Sequence, residues 1–274
     1  MAEGRLIVCP TPIGNLEDVT LRVLSALRSA DVIACEDTRR TRQLLDRYGV
    51  RAELVSYHEH NERERAHELV ARMQKGATVA LVSDAGMPLI SDPGYLLVRA
   101  CVAAGLPVEV LPGPSAATTA LVASGFPADE WHFAGFLPRK ASALRRLLAE
   151  HRETVVAFES PRRLPATLAA LAEVEPERQV AVCRELTKIH EEVVRGTAAE
   201  LAERYRDAPP KGEIALVLGP GGPRPASEPD AAAVQAVKRL MAAGAKPRTA
   251  ASVVADLTGQ SANDLYRAVT QGTE

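Results

Sequence analysis

Three short segments combine small residues, prolines and isolated polar groups in a pattern that suits close approach of a ligand to the main chain. They are Pro10-Thr11-Pro12-Ile13-Gly14-Asn15-Leu16, Ser83-Asp84-Ala85-Gly86-Met87-Pro88-Leu89-Ile90-Ser91-Asp92-Pro93-Gly94 and Pro112-Gly113-Pro114-Ser115-Ala116-Ala117. Glycine admits a ligand next to the backbone, and proline fixes the shape of a loop. Asp84, directly after an apolar run, can accept hydrogen bonds from a ribose or an amino group. Ser115 and Ala116 open a helical pattern whose first N–H groups lack an intrahelical partner and can bind a carboxylate or hydroxyl. These are the polar needs of an adenosyl amino acid. In one loop alone, proline and glycine ending a strand would explain the pattern equally well; three such loops on one edge favour a binding site.

Basic clusters follow other strand-like runs: Arg39, Arg40 and Arg42 after Ala34-Cys35-Glu36-Asp37, Arg139-Lys140 after Gly135-Phe136-Leu137, and Arg162-Arg163 after Phe158-Glu159-Ser160. The helix dipole disfavours cations in a first turn, so this placement points to a polyanionic ligand held through phosphates rather than to solvated helix starts. The net charge of −2 argues against a protein that coats nucleic acid by bulk electrostatics, so any such contact is expected to be local. His58 and His60, in Tyr57-His58-Glu59-His60-Asn61, have no nearby cysteine or clear third ligand and read as a polar loop, so no metal is expected. The polar run Arg184-Glu185-Leu186-Thr187-Lys188-Ile189-His190-Glu191-Glu192 reads as part of a site between domains in preference to a solvent-facing turn. No GxxxxGK[ST], GxGxxG after the first strand, GxSxG or HExxH is present, which withdraws support from phosphoryl transfer, nicotinamide chemistry, serine hydrolysis and zinc proteolysis.

The elements that must carry these loops are legible from periodicity. Leu6-Ile7-Val8, Val32-Ile33-Ala34, Leu54-Val55, Val79-Ala80-Leu81-Val82 and Val108-Glu109-Val110 alternate with helical patterns, which predicts a wound α/β sheet. In the first helix Leu21, Leu24 and Leu27 form a stripe after Asp18 and Thr20, which can cap it. A second α/β block starts near Trp131 and holds helical stretches near Ala141–Glu150, Leu164–Glu173 and Thr197–Arg206. In it Val180-Ala181-Val182 is followed by Glu192-Val193-Val194 without a helix, which predicts an antiparallel pair. Gly219–Asp230 holds seven Gly or Pro in twelve positions and reads as a linker. Helical patterns at Ala231–Ala243, Pro247–Leu257 and Ala262–Gln271 follow, with a turn at Gly259 and a capping-box-like Ser261-x-x-Asp264. The predicted organisation is an α/β domain over 1–127, a second over 128–219, a linker over 220–230 and a small helix-turn-helix-like unit over 231–274. The low aromatic content, 4%, fits tightly packed parallel strands. Cys9, Cys35, Cys101 and Cys183 lie far apart and read as buried reduced thiols. No apolar stretch approaches the ~18–20 residues of a membrane span, and the amino terminus runs straight into a strand, so a cytoplasmic protein without membrane attachment is expected.

The segments PTPIGNLED, CEDTRRTRQLL, SDAGMPLISDPG, PGPSAATTALVASG, FAGFLPRK, FESPRR and RELTKIHEE together resemble the bacterial ribosomal RNA small subunit methyltransferase I group of the tetrapyrrole methylase superfamily. The resemblance covers essentially the whole chain. It implies S-adenosylmethionine held between two α/β domains, a homodimer, and 2′-O-methylation of a cytidine in the decoding region of 16S rRNA, as naked RNA or within the small ribosomal subunit. Carried over residue by residue, it implies cofactor contacts at Pro12, Gly14, Asp84, Gly86, Met87, Ser115, Ala116, Phe158, Leu186 and Gly212. A ribose hydroxyl is a weak nucleophile, so a general base would help, and Glu36, Asp37, Glu159, Glu185 and Lys188 are the candidates. Lys188 would have to be neutral to serve, through burial or a cationic neighbour such as Arg184. Two rival readings are a methyltransferase acting on a tetrapyrrole ring, against which the arginine clusters and the helical tail speak, and a non-catalytic ribosome-assembly factor.

Overall fold

Alternation of apolar runs with amphipathic segments produces two sheets in succession. The computed structural model describes residues 4–222, 230–258 and 260–270. The first sheet is built from β1 (Arg5–Cys9), α1 (Leu21–Ser29), β2 (Val32–Cys35), α2 (Thr38–Arg47), β3 (Glu53–Ser56), α3 (Glu62–Gln74), β4 (Thr78–Val82), α4 (Tyr95–Ala103), β5 (Val108–Val110) and α5 (Ala116–Ser124). Its five strands are parallel in the order β3-β2-β4-β1-β5. Both faces are covered, which is why β1 and β4 read as continuous apolar runs. Leu6 and Val8 pack with Leu69, Met73 and Leu97 on one side, while Ile7 and Cys9 pack with Leu27, Leu44 and Leu45 on the other. The Thr20 hydroxyl caps α1 by accepting the Val23 N–H at 3.1 Å. Leu24 and Leu27 are buried as their spacing predicts, but Leu21, at the start of the stripe, is 85% exposed.

The second sheet uses β6 (Trp131–Phe136), α6 (Ala141–Glu150), β7 (Thr154–Glu159), α7 (Leu164–Val174), β8 (Gln179–Arg184), β9 (Glu192–Thr197), α8 (Ala198–Tyr205) and β10 (Ile214–Leu218). The order is β6-β7-β10-β8-β9, with β6 and β7 parallel and the other pairs antiparallel, including the β8–β9 pair. One face is covered by α6, α7 and α8 around Leu148, Leu168 and Leu201. The other receives α5, whose Ala117, Ala120 and Leu121 pack on Val156, Ala181, Cys183 and Val217. The last helix of the first sheet is therefore also a layer of the second. Its carboxyl end is closed by Arg195 of β9, which donates to the carbonyls of Ser124, at 2.8 Å, and Ala123. All four cysteines are buried and free, and burial raises the thiol pKa of Cys9 to about 12 and of Cys183 to about 11.

Gly222–Glu274 form a separate compact unit. Its helices α9 (Ala231–Ala242), α10 (Pro247–Thr258) and α11 (Ala262–Thr270) enclose Val237, Val254 and Leu265. Asp230 caps α9, accepting the Ala232 N–H at 3.1 Å, and Ser261 accepts the Asp264 N–H at 3.3 Å, which is half of a capping box. The turn expected at Gly259 and most of the Gly/Pro-rich linker lie outside the described residues. Among the described residues, no helix is long and apolar enough to cross a membrane.

Candidate active site

The strand order brings three loops together. The carboxyl ends of β4, β1 and β5 are neighbours, so the segments 83–94, 10–16 and 112–115 emerge side by side, with the end of β2 adjoining β4. Thr11 and Gly86 exchange two backbone hydrogen bonds, both 2.9 Å, and the Thr11 hydroxyl donates to the Ser83 carbonyl at 3.0 Å. The first loop also reaches the second sheet, where the Asn15 N–H donates to the Thr187 hydroxyl at 3.1 Å. Four non-glycine residues among those described have positive φ: Leu89 (72°), Ser91 (66°), Glu185 (50°) and Thr187 (66°). Two lie in the 83–94 loop and two in the turn after β8 that the first loop touches, and such conformations persist only where the surroundings over-determine them.

A cavity of about 350 Å³ opens between the two sheets. Its walls include Ile13, Gly86, Met87, Ile90, Ser91, Asp92, Ser115, Ala116, Phe136, Phe158, Leu186 and Gly212. The volume is that of a small-molecule site, and the walls are mostly apolar with a few polar groups converging on them. Ser115 is the N-cap of α5 but makes no side-chain cap hydrogen bond, so donors of the first turn face the cavity uncapped. Asp92 adds a carboxylate whose pKa is raised to about 7 by burial and by the nearby Glu36 and Asp84 charges. Gly212 has φ +95°, and a Cβ there would run into the Glu185 side chain.

A second cavity, about 280 Å³, adjoins the first and shares Ile13, Ala85 and Glu213 with it. It is lined by Thr11, Pro12, Gly14, Arg40, Gln43, Asp84 and Lys188, among others. Lys188 Nζ donates to Glu185 Oε1 at 2.8 Å and Glu213 Oε2 at 3.0 Å. Burial opposes the ammonium, but the two carboxylates outweigh it and hold the lysine pKa above its ordinary range. Lys188, together with the Glu213 backbone N–H, holds the Glu185 carboxyl below its own. Asp84 accepts the Asp37 backbone N–H at 2.9 Å and lies 3.7 Å from the Arg40 guanidinium.

Seven of the residues expected to touch cofactor (Gly86, Met87, Ser115, Ala116, Phe158, Leu186 and Gly212) line the first cavity, whereas Pro12, Gly14 and Asp84 line the second. The candidate bases separate by what already occupies them. Asp37 caps α2 through the Arg39 N–H at 2.8 Å, and the hydrogen bonds from Arg39 keep its carboxyl below the usual range. The fully buried Glu159 carboxylate accepts from the Thr167 hydroxyl at 2.6 Å and the Ser160 N–H at 2.7 Å. Glu185 and Lys188 neutralise each other. Glu36 has a raised pKa, from burial and the Asp84 charge, yet it lines neither cavity.

The basic clusters separate too. Arg39, Arg42, Arg139, Lys140 and Arg162 are exposed, and Arg40 reaches the second cavity. Arg163, expected to contact phosphate, has partners within the chain. Its guanidinium donates to the Leu137 carbonyl at 2.9 Å and pairs with Glu159 at 3.3 Å, so it holds the chain together. Asp92 and Glu213 were not singled out by sequence; Asp92 shares a loop with Asp84, and only the fold sets it against Glu36.

Residues 5–202 match the family described as Tetrapyrrole (Corrin/Porphyrin) Methylases, and residues 228–272 match the RsmI C-terminal HTH domain. A ribosomal RNA small subunit methyltransferase I of Mesorhizobium japonicum is 48% identical over 270 residues, 97% of this chain and 91% of that protein. The protein of the same name from Thermotoga maritima is 46% identical over 217 residues, which are 98% of that protein and 78% of this chain. Among solved structures, a uroporphyrin-III C-methyl transferase from Thermus thermophilus, complexed with S-adenyl homocysteine, superposes with a TM-score of 0.56 at 22% identity, covering 79% of this chain and 97% of that one. The methyl donor of the family is S-adenosylmethionine. The chain belongs to the ribosomal RNA small subunit methyltransferase I family of the tetrapyrrole (corrin/porphyrin) methylases.

Proposed function

We propose that the chain methylates the ribose 2′-hydroxyl of a cytidine in the decoding region of 16S rRNA, acting in the cytoplasm as a homodimer on the small ribosomal subunit. The observation that carries this reading is the pair of adjoining cavities, one mostly apolar and one charged, sharing a wall at Ile13 and Ala85. Bound S-adenosylmethionine supplies an electrophilic methyl group on a sulfonium. The first cavity suits it: the uncapped turn at Ser115 and Ala116 faces a carboxylate, Phe136, Phe158, Met87 and Leu186 offer apolar surface, and Asp92 adds negative charge. The second cavity suits a nucleotide, with Arg40 and Lys188 for phosphate and Asp84 and Gln43 for hydroxyl and base edges.

With the donor in the first cavity and the acceptor in the second, the two would lie side by side, and positioning of that kind supplies a large part of the rate in a methyl transfer. We assign the general base to Asp92. It lines the first cavity, and burial with the nearby Glu36 and Asp84 charges raises its pKa to about 7, where a base is both ionised and strong enough to take a hydroxyl proton. Lys188, held protonated between Glu185 and Glu213, does not serve as a base. Arg139, Lys140 and Arg162, with Arg39 and Arg42, would grip the flanking phosphates. The tetrapyrrole methylase match spans residues 5–202, which supports placing the chemistry in the first 221 residues.

The test is transfer of labelled methyl to unmodified small subunits, with mapping of the product nucleotide. A 2′-O-methylated cytidine in the decoding region is the expected result. A methylated base, another RNA site, or incorporation into a tetrapyrrole would overturn it. Light scattering on the purified chain checks the dimer.

A further inference from the structure

Away from both cavities, at the opposite end of the second sheet, His132, His151 and Glu153 bring two imidazoles and a carboxylate together. One ligand atom from each lies within 4.8 Å of the others. We propose that these three residues bind a late first-row divalent cation of the zinc type, which fastens the end of α6 and the start of β7 to β6.

The cluster is assembled by the fold and not by local spacing. His132 is the second residue of β6 and lies opposite Val155 in the parallel pairing with β7. The alternation of the strand turns it toward the face covered by α6, whose C-cap is His151. The two rings stack with centroids 3.6 Å apart and 11° between planes. His151 Nδ1 lies 2.8 Å from Glu153 Oε1.

The backbone beneath is held from behind. Buried Arg178 donates to the carbonyls of Glu153, at 3.2 Å, His151, at 3.4 Å, and Gly219, at 2.8 Å. Glu175 pairs with Arg178 at 2.9 Å and with Arg152, which fixes both guanidinium groups in place. An outer shell of this kind orients metal ligands. Two histidines and a glutamate are borderline donors that suit zinc, nickel or copper rather than calcium or magnesium. About a quarter of the His151 and Glu153 side-chain surface is open to solvent, which gives the ion a way in.

Tetrahedral zinc, with bonds of about 2.0–2.1 Å to nitrogen, requires ligand atoms roughly 3.3 Å apart and lying in each ring's plane along its lone pair. Two parallel rings cannot both satisfy that, so binding turns one imidazole out of the stack and draws the three groups inward.

The experiment uses the full chain, stripped with EDTA and titrated with cobalt(II) and with zinc(II) alone. Expected are one saturable site per chain, visible d–d absorption from low-coordinate cobalt that zinc bleaches, and a rise in Tm reversed by EDTA. Glu153→Gln and His151→Gln should each weaken binding by about tenfold or more. The double variant His58→Gln/His60→Gln should leave it unchanged. Glu153 is the first target because its side chain is not part of the core, and circular dichroism verifies each fold. Absence of a saturable cobalt spectrum in the wild type overturns the proposal, as does affinity that survives both cluster substitutions or is lost in the His58/His60 variant.

Discussion

The Cβ that Gly14 lacks would stand 2.5 Å from Cγ of Lys188, so the first loop of one sheet and the turn after β8 of the other touch at a distance only glycine allows. The same Cβ would lie 2.8 Å from the Thr187 hydroxyl oxygen, which accepts the Asn15 N–H. Gly14→Ala must push the Lys188 stem aside and break its bonds to Glu185 and Glu213. We expect a loss of about 1–3 kcal/mol in stability, the usual cost of overpacking. Methyl transfer should fall more than the affinity for S-adenosylmethionine, because Gly14 lines the second cavity; calorimetry of donor binding beside single-turnover rates measures the split.

Asp92 predicts a pH dependence of both stability and rate. Its pKa in the folded state, about 7, lies above that of an unfolded aspartate, so the folded chain keeps the proton over a range where the unfolded chain has lost it. Its contribution to stability is therefore full at low pH and is lost as pH rises toward 7. Asp92→Asn should be more stable than the wild type at about pH 8, with the difference shrinking toward about pH 5. As the assigned base, Asp92 should also produce a methyl-transfer rate that rises with a midpoint near 7. The variant should lose that limb and about 10²–10⁴ in rate. A pH profile unchanged by Asp92→Asn would return the role to Glu36 or to positioning alone.

Lys188 behaves differently. With its pKa raised, the stability it contributes is complete below the unfolded lysine value and is lost only in strongly alkaline solution, so it adds no slope near neutrality. Lys188→Met leaves Glu185 and Glu213 facing each other and should cost about 1–2 kcal/mol, whereas Lys188→Arg should recover most of the stability. Chemical denaturation of both variants at neutral pH is the measurement.

Arg162 and Arg163 are adjacent in sequence and should respond oppositely to alanine. Arg163→Ala leaves the fully buried Glu159 carboxylate without its counter-charge, and breaking such a pair costs about 3–5 kcal/mol. Arg163 is itself 29% exposed, so the lower end of that range is expected, seen as a fall in Tm. Arg162→Ala should leave Tm unchanged and reduce the slope of log affinity for RNA against log salt by about one contact. Equal effects of the two substitutions on the salt slope would show that Arg163 also reaches phosphate.

Much of this protein can be read without coordinates. Apolar runs such as Val79–Val82 can only be strands buried on both faces, so the wound first sheet follows from local pattern, and the helix-free stretch between Val182 and Glu192 marks the antiparallel pair. The Gly/Pro loops are legible for the same reason: their composition limits the backbone before any tertiary contact forms. Leu21 shows the limit. Its spacing places it on the stripe of Leu24 and Leu27, but it is 85% exposed while Val23 beside it is buried.

Which titratable groups are free to act is decided by contacts among residues distant in sequence, and no spacing rule encodes those. Asp37 is withdrawn by its own helix, Glu159 by Thr167 and Arg163, and Lys188 by Glu185 and by Glu213, which is 25 positions away. Asp92 gains its raised pKa from burial first and then from Glu36, which the parallel order sets near it by placing β2 beside β4. Sequence by itself determines the elements, the three loops and the family, because those rest on local stereochemistry and on motifs. Tertiary structure alone decides the division into two cavities and the charge state of each carboxylate and amine, because burial and Coulomb interactions depend on through-space distance.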